Sequence, residues 1–317
     1  VPLVKLIIQI PCFNEKESLP VTLAALPRQM EGFSRVEWLV IDDGSTDGTA
    51  ETARRCGVDH VVSLPVNQGL AYAFSKGLET SVALGADVVV NTDADNQYHA
   101  GDIGKLVEPI LRNQADMVVG ERPISSVAHF SPLKKMLQRL GSAVVRMVSR
   151  TEVKDAPSGF RAFSRRAAAH IHVFSAYTYT LETIIQARHK HLAVVSVPIR
   201  VNADLRPSRL VRGTWDYVWR SLATIIRIFI IYRPFYFFAL LGSAAFAAGF
   251  ALGLRFLYFY LTQPAVGKVQ SLILAAVLMI LGVQLGVIAF IADLIAVNRR
   301  LLEKIHSRLS RLEGGGQ

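Results

Sequence analysis

The sequence predicts an α/β domain on a doubly wound, parallel sheet, followed by an amphipathic helix and two membrane-spanning helices. Three observations predict it. Short β-branched runs alternate with helical stretches over residues 1–120, the pattern of a buried parallel sheet. Polar clusters stand directly after most of those runs. Two later stretches, 235–254 and 271–292, carry no charged side chain at all.

The elements follow in order. Leu6 to Ile10 (LIIQI) is a strand ending at Pro11, and Glu17 to Gln29 is a helix. Trp38 to Asp42 (WLVID) is a strand closed by Asp43-Gly44. His60 to Leu64 is a strand closed by Pro65, and Leu70 to Leu84 is a helix. Asp87 to Thr92 (DVVVNT) runs into Asp93, and Met117 to Gly120 runs into Glu121-Arg122. Ligands of such sheets bind beyond the carboxyl ends of the strands, where these polar clusters fall. Farther on, Ser131 to Ser149 is a helix with basic and apolar faces. Asp155 to Phe163 is a turn and a strand, Thr180 to Lys190 a helix, and Ala193 to Ile199 a strand. Thr214 to Tyr232 mixes Trp, Tyr and Arg with aliphatics, which suits a helix lying on a membrane surface.

Each uncharged stretch is long enough to cross a hydrocarbon core about 30 Å thick, for which roughly 20 apolar residues suffice. The 317 residues divide into an α/β domain (1–212), a juxtamembrane helix (213–233), two spans within 234–296 (235–258 and 270–294) and a basic tail (297–317). The net charge of +10 gathers beside the spans. Arg206, Arg209, Arg212, Arg220, Arg227 and Arg233 precede the first; Arg299, Arg300, Lys304, Arg308 and Arg311 follow the second. This bias predicts a two-span membrane protein with both termini and the α/β domain in the cytoplasm. It also points to a lipid bilayer rather than nucleic acid as the partner of the charge. Cys12 and Cys56 form neither a disulfide framework nor a metal-ligand pattern, and no signal peptide is expected at the N-terminus.

Asp93-Ala94-Asp95-Asn96-Gln97 carries the chemistry. Two carboxylates one residue apart at a strand end can face a common site, and hard oxygen ligands suit Mg²⁺ or Mn²⁺ shared with substrate phosphates. Asp42-Asp43-Gly44-Ser45-Thr46-Asp47 suits either a nucleotide contact or a helix cap, and both readings stay open. Pro11-Cys12-Phe13-Asn14-Glu15 and Asn67-Gln68-Gly69 are turn chemistry when taken alone.

Taken together, PCFNE, DDGSTDGT, NQGLAYAFSKG, DADNQY, GER and DAPSGFRAF resemble, in order, the inverting glycosyltransferases of family 2. Within them the set is most similar to dolichyl- and polyprenyl-phosphate mannose or glucose synthases, from about residue 6 to residue 210. The resemblance implies a GT-A fold, whose sheet is mixed but mainly parallel. It assigns the donor nucleotide to Pro11, Phe13, Glu15, Asp42 and Asp93, and the metal to Asp93, Asp95 and Gln97. It makes Asp93, Asp95 and Arg122 the catalytic set. Arg122, Arg139 and Ser158 would meet the acceptor phosphate, and Gly159, Phe160 and Glu182 would line the sugar pocket. Arg206 and Arg209, in RPSR, would take the donor diphosphate, since an Arg fork can bind two phosphate oxygens. Phe13 stands where a Tyr is usual, so any hydroxyl contact there is missing.

The implied reaction moves a hexose from a nucleotide-sugar, GDP-mannose or a UDP-hexose, to a polyprenyl phosphate at the cytoplasmic membrane face. The DDGS and SGFRAF forms tilt the sugar toward mannose. No catalytic base is needed, because a phosphate monoester whose second pKa is about 6 arrives ionised. A processive polysaccharide synthase would show a Gln-X-X-Arg-Trp segment, which is absent. A non-enzymatic nucleotide-binding module would not need the acids Asp42, Asp93 and Asp95. The sequence leaves room for a homo-oligomer.

Overall fold

The computed structural model describes residues 4–123, 152–171, 173, 179–202, 223, 226–227, 230, 233–262 and 269–314. The chain divides into two compact units, Val1–Ser221 and Leu222–Gln317.

Among the described residues of the first unit, seven strands form one sheet: β1 (Lys5–Cys12), β2 (Arg35–Asp42), β3 (His60–Ser63), β4 (Val88–Asn91), β5 (Met117–Glu121), β6 (Arg161–Ser164) and β7 (Val194–Pro198), in the order β3-β2-β1-β4-β6-β5-β7. β1 lies inside the sheet between β2 and β4, and Leu6, Ile7, Ile8 and Ile10 are fully buried on its two faces. The helices are α1 (Leu19–Ala25), α2 (Thr49–Arg55), α3 (Leu70–Ala83), α4 (Ile103–Leu111), α5 (Arg165–His170) and α6 (Tyr179–His189). α1 is shorter than the Glu17–Gln29 helix expected from sequence. Leu26 is extended (ψ 140°), as the ring of the following Pro27 disfavours helical backbone before it.

β6 alone runs against its neighbours β4 and β5, so the sheet is mixed but mainly parallel. This reversal positions the site. Arg161, at the start of β6, pairs with Asn91 near the end of β4 and with Val119 of β5. The turn before β6, residues 155–160, therefore reaches the edge at which β1, β2, β4 and β5 end.

Two helices, α7 (Pro234–Thr262) and α8 (Val269–Gly314), dominate the second unit, and each contains a segment long and apolar enough to cross a membrane. They pack through glycine. A Cβ at Gly242 would lie 2.8 Å from the Gly282 carbonyl oxygen, and one at Gly249 would lie 2.7 Å from that of Ala275. Such close backbone approach is how helices pair where no water drives them together. Leu240, Leu261, Phe290 and Leu294 stay exposed, an apolar surface matched to lipid. α8 does not break between span and tail; no Gly or Pro interrupts residues 287–313. Of the expected juxtamembrane helix, Ala223, Ile226, Arg227 and Ile230 are described and helical, whereas Arg233, also described, is not.

Candidate active site

The loops after β1 and β2 are stitched together. Asn14, in a left-handed conformation (φ 55°), donates its backbone N–H to Ser45 Oγ (2.9 Å) and accepts the Thr46 N–H on Oδ1 (3.0 Å). Glu15 N–H donates to Thr49 Oγ1 at 2.9 Å. Pro11 is buried in β1, whereas Phe13 just beyond it is 44% exposed, and Glu15 is half-buried.

The two acids ending β2 divide their work. Asp42 is nearly buried and takes the Ser45 N–H at 3.2 Å. Asp43 holds the Asn67–Gly69 turn: its two oxygens accept the N–H groups of Gln68 and Gly69, each at 2.8 Å. Gly69 has φ 94°, a conformation that glycine adopts without strain. The DDG and NQG segments are thus one interlocked structure.

Asp93 leaves the end of β4 into a tight setting. The Tyr98 hydroxyl stands near enough to favour the charged form of Asp93, and it accepts the Gly159 N–H at 3.0 Å. A Cβ on Gly159 would stand 3.1 Å from each Asp93 carboxylate oxygen and 2.8 Å from Tyr179 Oη. Beneath lies a buried polar chain. Gln9 Nε2 donates to Asn91 Oδ1 (2.9 Å), and Asn91 Nδ2 donates to the Gly159 carbonyl (2.9 Å) and to Tyr179 Oη (3.2 Å). Burial, and then the neighbouring Asp95 charge, push the Asp93 carboxyl above its usual range, against the pull of Arg122 and Tyr98. Asp95 is half-buried and takes the Gln97 N–H on Oδ1 at 3.1 Å.

Arg122 follows β5. Its guanidinium is gripped by Asp155 at two points, Nε to Oδ2 (2.7 Å) and Nη2 to Oδ1 (3.0 Å), and its backbone N–H adds a third bond. Arg161 is wholly buried. It donates to the carbonyls of Ser158, Ala156 and Thr180 and to Thr183 Oγ1, with no ion pair among the described residues. That cage fixes the 156–158 turn to α6. Burial brings the Arg161 guanidinium down to about 10.

Asp93, Arg122 and Gly159 thus meet at one edge, with Asp95 beside Asp93. Three side chains expected in the acceptor or sugar pocket are placed differently. Ser158 and Phe160 are fully buried and Glu182 is 3% exposed. The Ser158 hydroxyl points into the core without a hydrogen bond among the described residues, Phe160 stacks on Tyr98 (centroids 5.0 Å apart), and Glu182 takes a Gln186 N–H. All three side chains have little exposed surface. Arg139, Arg206 and Arg209 lie outside the described residues. Sequence reasoning missed the parts played by Gln9, Asn91, Tyr98 and Asp155. A signal existed for two of them, since Gln9 and Asn91 are amides inside otherwise apolar strands, where a buried polar group needs a partner.

The family model for glycosyl transferase family 2 matches residues 7–171. The chain belongs to glycosyl transferase family 2. Among its relatives in the family is an undecaprenyl-phosphate mannosyltransferase of Micrococcus luteus, 29% identical over 64% of this chain and 86% of that protein. A UDP-N-acetylglucosamine–dolichyl-phosphate N-acetylglucosaminyltransferase of Methanococcus voltae is also 29% identical, over 60% and 83%. Among solved structures, glucosyl-3-phosphoglycerate synthase of Mycobacterium tuberculosis, in complex with Mn²⁺, UDP-glucose and phosphoglyceric acid, superposes with a TM-score of 0.56 at 22% identity, covering 70% of this chain and 79% of that one. The family 2 domain here has the GT-A fold of that structure.

The family 2 site fits a divalent cation. Two carboxylates crowd one strand end, and desolvation with the Asp95 charge raises the Asp93 carboxyl, a cost that a nearby cation would offset. No cluster of three or more His, Cys, Asp or Glu stands within reach of one metal among the described residues. Mg²⁺ and Mn²⁺ need no such cage, because water and substrate phosphates complete their shell.

Proposed function

We propose that this family 2 enzyme transfers a hexose, with mannose favoured, from a nucleotide-sugar to a polyprenyl phosphate at the cytoplasmic membrane face, inverting the anomeric carbon. The Asp93–Asp95 pair carries the reading, since it faces a strand edge that also presents Arg122 and the Gly159 turn. The lipid acceptor is supported by the polyprenyl-phosphate relatives and by two helices able to span a bilayer.

In this reading Asp42 and Glu15 bind the nucleoside, with Phe13 offering its exposed ring. Asp93, Asp95 and Gln97 hold Mg²⁺ or Mn²⁺. When bound, the cation offsets the charge growing on the departing diphosphate. Arg122, kept in place by Asp155, supplies a fixed positive charge beside that diphosphate or the acceptor phosphate. Arg206 and Arg209 add to the donor side, and Arg139 to the acceptor side. An acceptor phosphate oxygen forms the new bond to the anomeric carbon as the bond to the diphosphate oxygen breaks. The electron pair leaves with the nucleoside diphosphate, and no proton need move.

A panel of GDP-mannose, UDP-glucose and UDP-N-acetylglucosamine with one polyprenyl phosphate, scored by product mass and nucleoside diphosphate release, tests this. One donor should give glycosylated lipid phosphate. Absence of release with all three, in Mg²⁺ or Mn²⁺, would overturn the proposal.

A further inference from the structure

A short strip after β7 runs antiparallel to the turn that follows Asp95. Tyr98 and Val201 form an antiparallel bridge, and His99 N–H donates to the Arg200 carbonyl at 3.3 Å. Arg200 is anchored in turn by Asp102, whose carboxylate takes its backbone N–H (2.6 Å) and its guanidinium (2.9 Å). At the end of the strip Asn202 does more than continue the pairing. Its backbone N–H donates to the Gln97 carbonyl at 2.8 Å. Its side-chain amide donates to the Asn96 carbonyl at 2.9 Å and lies 3.3 Å from the Tyr98 carbonyl. One residue thus addresses three successive carbonyls.

Those carbonyls belong to a turn with few bonds of its own. Asn96 has φ 56°, a left-handed conformation open to asparagine. The turn has one internal side-chain bond, from Gln97 N–H to Asp95 Oδ1. The orientation of the Asp95 carboxylate depends on this backbone, and nothing on β4 itself fixes residues 96–98.

We propose that Asn202 is a positioning residue for the metal: by tying the carbonyls of Asn96, Gln97 and Tyr98, it holds the Asp95 turn in its cation-binding shape. The inference rests on the reading of Asp95 as a metal ligand. Asn202 touches neither cation nor substrate; it acts through the backbone of the turn, as groups behind metal ligands commonly do.

The test uses the full chain in detergent with UDP and, separately, GDP. Mn²⁺ is titrated and free Mn²⁺ is read by electron paramagnetic resonance for wild type, Asp95→Ala, Asn202→Ala and Asn202→Ser. Loss of the Asn202 amide should weaken Mn²⁺ binding roughly tenfold, with turnover recovering at high Mn²⁺. A merely structural role would lower the thermal midpoint and leave the Mn²⁺ constant of the folded protein unmoved. If Asn202→Ala does not fold, the milder Asn202→Ser carries the comparison. Asp95-dependent Mn²⁺ binding in wild type, with an Asn202 variant within about twofold of it, overturns this inference alone. Wild-type Mn²⁺ binding that ignores Asp95 overturns the metal reading and this inference together.

Discussion

Gly159 and Asp93 are in contact across the edge of the sheet: a single added carbon on Gly159 would stand 3.1 Å from both Asp93 carboxylate oxygens. The contact exists because β6 runs antiparallel between β4 and β5 and brings its leading turn to the carboxyl end of β4. Glycine is required here for space, and Asp93 has little room to shift, since Tyr98 and Gly159 bound it.

Gly159→Ala should therefore displace Asp93 or Tyr179. Overpacking of this kind costs about 1–3 kcal/mol of stability. On the role proposed for Asp93, its displacement should lower turnover roughly 100-fold. Chemical denaturation and initial rates at saturating donor measure the two effects. Wild-type turnover in the variant would show that the contact has no bearing on catalysis.

Asp95→Ala should bring transfer to background while leaving a folded, membrane-associated protein, because Asp95 is half-buried and no buried partner is lost with it. Circular dichroism and membrane flotation check the fold and location, and product mass checks transfer. Full activity of Asp95→Ala under metal chelation would contradict its assignment.

Asp155→Ala should destabilise the protein by about 3–5 kcal/mol, because it strands the largely buried Arg122 charge. An apolar pair, Asp155→Leu with Arg122→Met, should recover most of that stability and none of the activity. Equal activity in the apolar pair and wild type would show that Arg122 serves structure alone.

The Asp102–Arg200 link predicts a pH dependence. Burial raises the Asp102 carboxyl, but the Arg200 side chain and backbone and then Lys105 outweigh it and hold it well below the usual carboxylate range. A depressed folded pKa gives stability that is complete above the unfolded value of about 3.9 and fades as pH falls toward the folded value. The stability gap between wild type and Asp102→Asn should thus be constant from about pH 7 to 5 and shrink below about pH 4. Denaturation series at each pH measure it, and a gap that persists unchanged in acid would refute the linkage.

The parallel core was legible because its signals are local. Buried β-branched runs and the turns after them fix β1, β2, β4 and β5, and with them the edge on which Asp42, Asp93 and Arg122 fall. What escaped depends on partners distant in sequence. The antiparallel course of β6 is set by pairing with β4 and β5, over 60 and about 40 residues away. The burial of Ser158 and Phe160 follows from that insertion, and so does the meeting of Tyr98 with Gly159. The early end of α1 was readable, since Pro27 acts on its neighbour Leu26 alone.

The unbroken course of α8 has a mechanical consequence. From Asn298 to Gly314 the helix continues past its apolar segment without a hinge, a length of about 24 Å at 1.5 Å per residue. In a bilayer such a helix tilts to match the local thickness. Because the projecting part is rigidly joined to the span, a change of tilt of about 10° carries its far end sideways by about 4 Å. With α8 across a bilayer, the basic tail would thereby be geared to the local membrane thickness.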